Sequence, residues 1–229
     1  METIYTVVPR RSGPLWREQP LTFCLLFLSV IVLWEISGLD LVFAEFFGNA
    51  RGFRWRNYWV FENLLHEGGR FLSWMFILCL CAGVWWPFGI LCRLNFSKRL
   101  QLAVTPLIAV SVINALKAIS TTSCPWDLQI FGGAYQYVSH WVSWGIGWSG
   151  NGHCFPAGHA SAGFAFLSGI YTFSQWPRIA KLWLLVVLIT GFIFGFAQQI
   201  RGAHFMSHTL WSLWICWTVA WLTDRLWSE

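Results

Sequence analysis

The chain has 229 residues, of which 56% are hydrophobic and only 11% charged, where a soluble domain carries about 25% charged residues. Eighteen tryptophans and twenty phenylalanines would be hard to cover with so little polar surface in water, which argues against a soluble domain and for a bilayer. The net charge of +5 is dispersed between apolar segments, so no nucleic-acid partner is expected.

Spanning a hydrocarbon core takes about 20 mostly apolar residues as helix. A polar tail, Met1–Pro20, precedes the first such stretch, Leu21–Phe43, and no small-residue cleavage site follows it, so it reads as a retained helix. An outer loop with Arg51-Gly-Phe-Arg-Trp-Arg56 and His66-Glu-Gly-Gly-Arg70 leads to Phe71–Cys92, then Leu100–Ser120. After a Gly-, Ser- and Trp-rich interruption, residues 121–158, come Ala160–Trp176, Ala180–Gln199 and Thr209–Leu226. The expected fold class is all-α: one integral membrane bundle of about six transmembrane helices, with 1–229 a single domain. Trp141, Trp144 and Trp148 recur near helical spacing and read as an interfacial anchor.

Lys and Arg counts place both termini on the inner side, although four arginines sit in the first outer loop. Five cysteines fall in predicted helices, where they behave as small apolar residues. Cys124 and Cys154 share one outer loop and are a candidate disulfide in an oxidising compartment.

In this topology Lys117, His159 and the segment 198–208 all emerge on the outer side, and ionisable groups at membrane helices are costly enough to mark a site. Phosphoryl transfer needs cations and N–H donors, an in-line nucleophile and an acid. Lys117 supplies a point charge. Phe155-Pro-Ala-Gly-His-Ala-Ser161 sets Ala157 and Gly158 at a helix start, where backbone N–H groups favour an anion, with His159 beside them as acid. In Gln198-Gln-Ile-Arg-Gly-Ala-His-Phe-Met-Ser-His208, His204 and His208 are four apart, and Gln198 and Arg201 form another near-neighbour pair. The histidine spacing also suits zinc, but no third ligand is evident, so neither metal nor cofactor is expected.

These residues resemble the type 2 phosphatidic acid phosphatase superfamily of membrane phosphatases and phosphotransferases. The first motif of that family is Lys, six residues, Arg-Pro; here Lys117 and Pro125 keep the spacing and Cys124 replaces the arginine. The second, Pro-Ser-Gly-His, reads Pro156-Ala-Gly-His159. In the third, aligning Gly202-Ala-His-Phe-Met-Ser207 makes His204 the nucleophile, with Gln198 at the arginine position and His208 at the aspartate position. A second register makes His208 the nucleophile.

The resemblance implies a metal-independent lipid phosphatase working through a phosphohistidine on phosphatidic acid, phosphatidylglycerol phosphate, a polyprenyl diphosphate or a lipid A type glycolipid. His204, His159 and His208 would be catalytic; Lys117, Arg201, Gly158, Ala157 and Gln198 would hold phosphate; Arg70 and Asp127 would support them. The alternatives are phosphoryl transfer to a second lipid, or an inactive lipid-binding or transport member. The charge bias suits a bacterial inner membrane with the site facing the periplasm.

Overall fold

The computed structural model describes residues 18–139, 141–142 and 152–228. The tail before Glu18 and the anchor residues Trp144 and Trp148 lie outside them. Helix α1, Pro20–Ile36, meets a short α2, Leu39–Glu45, at a 64° bend. Gly38 makes that corner with φ +72°, a left-handed conformation glycine adopts without penalty. A two-residue hairpin follows, β1 (Gly48–Asn49) against β2 (Gly52–Phe53), and then a π-helical stretch, Val60–Gly68, that runs into α3, Gly69–Trp85.

Helix α4, Phe96–Ile119, starts where the Asn95 side chain accepts the Lys98 backbone N–H, the cap expected of asparagine. The stretch expected as a fourth spanning helix is broken into α5 (Gly158–Phe164), a 3₁₀ turn (Ala165–Ser168) and α6 (Gly169–Thr172). Helices α7, Pro177–Arg201, and α8, Met206–Ser228, complete the fold. Three segments among the described residues, Val60–Arg93, Phe96–Ile119 and Pro177–Arg201, are long and apolar enough to cross a membrane. The bent α1–α2 pair makes a fourth if its two helices count as one span. Six such spans are not all present by that measure, because the α5–α6 region is short and broken and α8 carries His208, Thr209, Ser212, Thr223 and Asp224 among its apolar residues.

The core lies where α4, α5, α7 and α8 meet, around Leu102, Ile113, Phe164, Leu167 and Ile170. Helices α5 and α7 touch at Gly163 and Gly191: a Cβ on Gly163 would stand 2.3 Å from the Gly191 backbone nitrogen. At one end of the bundle Lys98, Gln101 and Asp224 form a hydrogen-bonded cluster, with Lys98 Nζ 3.2 Å from Asp224. The other end gathers Lys117, His159 and His204.

Candidate active site

Lys117 occupies the last turn of α4 and His159 the first turn of α5, facing each other across a pocket of about 230 Å³. Lys117 Nζ is 3.7 Å from where a Cβ on Gly158 would sit, so the ammonium lies beside the start of α5. Arg70, Ser73, Asn114 and Ser161 also line the pocket, and no carboxylate does. Two cations, an amide and hydroxyls make an anion cavity, with Glu67 pairing Arg70 at 3.1 Å from outside the lining. Ala157 contributes less than its motif position implies, because its N–H is spent on the His208 carbonyl at 3.2 Å.

The His159 ring stacks on His66, centroids 3.8 Å apart and planes 28° from parallel. His159 Nδ1 is buried without a hydrogen-bond partner among the described residues. His66 reaches this position from the π-helical stretch, where the sequence pattern suggests only a loop. Asn114 also escapes a reading of the sequence, although it precedes Lys117 by three and so shares its helix face.

Arg201 does not line the pocket. Its Nε donates to the Arg56 carbonyl at 2.8 Å, one terminal nitrogen donates to Gln198 Oε1 at 3.3 Å, and the other stands 3.6 Å from Glu62. Gln198 and Arg201 are therefore brought together, but they grip each other rather than an open anion site. Gly202 ends α7 with φ +75° and leaves no room for a side chain, since a Cβ would be 2.3 Å from the Phe53 ring. Its carbonyl accepts the Trp126 N–H at 2.9 Å, which pins the turn leading to His204.

His204 is buried, with Nδ1 2.7 Å from the Cys154 carbonyl. A carbonyl only accepts, so Nδ1 carries the proton and donates, leaving the Nε2 lone pair for chemistry. Burial first, then the charge of Lys117 and the rings of His208 and His159, hold the His204 pKa well below the ordinary 6.5. The Cys154 carbonyl thus fixes the orientation of the His204 ring. Cys154 is joined to Cys124 by a disulfide, Cα atoms 5.2 Å apart, and its N–H donates to the Thr122 carbonyl at 3.1 Å.

His208 lies elsewhere. Its ring stands perpendicular to Phe155 and Phe205 and lines a separate cavity of about 150 Å³ with Glu35, Asp40 and Tyr137. The His204 and His208 ring centroids are 5.8 Å apart at 66°, and His204 Nδ1 is already engaged by Cys154. In that cavity Asp40 accepts the Ser207 N–H at 3.0 Å and the Trp34 indole N–H at 2.9 Å. Burial pushes the Tyr137 hydroxyl up to about 12. Asp127 sits in a turn near Arg56, its carboxyl raised by burial against the lowering effect of that arginine, and it does not line the Lys117 pocket. Trp141, the described member of the anchor, donates to Glu35 at 2.8 Å.

A second, apolar groove of about 400 Å³ runs between α3 and α7 and shares Ser73, Ala162 and Phe166 with the Lys117 pocket. No group of three or more His, Cys, Asp or Glu side chains able to hold a metal occurs among the described residues.

No curated protein and no solved structure matches the chain. The family model of the PAP2 superfamily, which comprises phosphatase-type membrane proteins, matches residues 98–228, the segment containing Lys117, His159 and His204. This chain belongs to the PAP2 superfamily.

Proposed function

We propose that the protein is a membrane phosphatase that hydrolyses a phosphate or diphosphate head group of a lipid at the outer face of a six-pass bundle in a bacterial inner membrane. In this reading the phosphate enters the pocket between Lys117 and His159, with Lys117 and Arg70 countering its charge. His204 Nε2 attacks phosphorus while Nδ1–H stays on the Cys154 carbonyl, and His159, whose pKa burial and the charges of His66 and Lys117 lower to about 3, takes up a proton beside the bound phosphate dianion and gives it to the departing oxygen. Water then cleaves the phosphohistidine, releasing phosphate and restoring the imidazole. His204 is buried and does not line the pocket, so substrate binding must open a path to it.

The observation that carries this reading is the pocket lined by Lys117 and His159 and by no carboxylate, together with the buried His204 oriented by the Cys154 carbonyl. The apolar groove beside Ser73 gives an acyl or prenyl chain a place next to the head group and so favours a lipid over a soluble ester.

Phosphate release by purified protein from a panel of lipid phosphates tests it, with His204→Ala and His208→Ala in parallel. Activity in the parent, lost in His204→Ala, is expected. Equal activity in both variants and the parent would sink the mechanism, and phosphate release only when an acceptor lipid is added would replace hydrolysis by transfer.

A further inference from the structure

Arg51, Arg54 and Arg56 of the first outer loop, unlike Arg70, have no part in the Lys117 pocket. Residues 51–58 fold against Trp126 and Gly132 around a separate hollow of about 510 Å³. Arg51, Arg54 and Arg56 line it and are exposed, no carboxylate does, and none of the three is in an ion pair among the described residues. Asp127 is an opposing charge that acts on Arg56 from outside the lining.

Two of these arginines are held in place by aromatic faces. The Arg54 guanidinium carbon is 5.1 Å from the Trp55 ring centroid, and that of Arg56 is 4.4 Å from the Trp126 centroid. Stacking uses the flat face of a guanidinium and leaves its N–H edge free to fork onto phosphate oxygens. Trp55, Tyr58 and Trp126 around the hollow are the side chains that settle at the head-group level of a bilayer. The hairpin is also rigid: Phe53 packs on Phe131 with centroids 4.8 Å apart and blocks the space beside Gly202, and the Arg56 carbonyl holds Arg201.

We propose that this hollow is a second anion site, which binds the phosphate head group of an anionic lipid at the outer membrane surface. It is distinct from the Lys117 pocket and rests on the membrane-embedded reading, not on hydrolysis. A site of this kind holds anionic lipid at the edge of the turn that carries His204.

The test is the lipid selectivity of the whole protein in bilayers, read by electron spin resonance from spin-labelled phosphatidylglycerol against spin-labelled phosphatidylcholine. The parent is expected to favour phosphatidylglycerol by about fivefold, the scale of one basic residue at an anionic surface. High salt and the triple change Arg51→Gln, Arg54→Gln, Arg56→Gln should each bring the ratio to parity, while the corresponding triple lysine variant keeps most of the preference. An unchanged ratio in the glutamine variant, with its thermal unfolding midpoint intact, overturns the site. Repeating the measurement on His204→Ala keeps the result independent of catalysis, since this variant should retain the full preference.

Discussion

His204 Nδ1 and the main-chain carbonyl of Cys154 stand 2.7 Å apart, so the tautomer of the proposed nucleophile is set by backbone that a disulfide to Cys124 ties down. Reducing that bond frees the carbonyl to drift. We expect reduction, or the Cys124→Ser/Cys154→Ser variant, to lower kcat by about 10- to 100-fold, the scale seen when partners that orient a functional histidine are lost. KM should change far less. Steady-state kinetics with and without a phosphine reductant check this, and an unchanged kcat in the fully reduced protein refutes it.

His208 takes the family's aspartate position but faces the cavity of Asp40 and Tyr137. His208→Asn should therefore reduce kcat by less than about tenfold, under 1.4 kcal/mol of barrier. Loss to background in that variant would show that the second register is the correct one.

In the proposed mechanism Lys117 acts on the phosphate and His159 on the leaving oxygen. Lys117→Ala should cost about 10²- to 10³-fold in kcat as a lost oxyanion donor. His159→Asn should cost about 10²- to 10⁴-fold as a lost acid, with less damage on substrates whose leaving group needs no proton. Comparing an alkyl with a nitrophenyl ester separates the two roles.

Stability should fall as the medium is acidified. His204 has a folded pKa well below 6.5, so between the two values the unfolded chain binds more protons than the native one. Its contribution is complete above about pH 6.5 and is lost as pH drops, at about 1.36 kcal/mol for each pH unit that separates the folded from the unfolded value. Thermal midpoints against pH should slope less in His204→Gln. Asp127, raised above 3.8 by burial, runs the opposite way at lower pH, with stability lost as pH rises through its folded value, so the difference between variant and parent is the informative quantity.

The Gly163–Gly191 contact should not tolerate a methyl group. Gly163→Ala meets backbone rather than a movable side chain, so we expect destabilisation at or above the roughly 1–3 kcal/mol of an overpacked core. A lower unfolding midpoint together with lost activity is the expected outcome, because α5 carries His159.

The hydrophobic stretches made the long helices legible, and spacing made Lys117, His159 and His204 legible, because both signals are local. What was hidden depends on contacts between distant segments. Nothing in the sequence told that Arg201 would be taken up by Glu62 and the Arg56 carbonyl, or that His66 would stack on His159. A main-chain carbonyl that orients a ring leaves no trace in residue identity, so the bond from His204 to Cys154 is not legible in the sequence. The α5–α6 region read as one apolar helix because hydropathy does not report the 3₁₀ turn at Ala165–Ser168.

The π-helical stretch at Val60–Gly68 sets the phase of everything that precedes α3. A π turn holds one more residue than an α turn, so it behaves as an insertion that the helix has absorbed. Deleting one residue there would return the stretch to α geometry with its flanks in phase, whereas inserting one more than it absorbs would swing the segment ahead of it by about 100° about the axis. Glu62 would leave Arg201, and the arginine hairpin would lose its register with the Gly202 turn. An insertion in this segment therefore bears on the contacts of Glu62 and of the arginine hairpin alike.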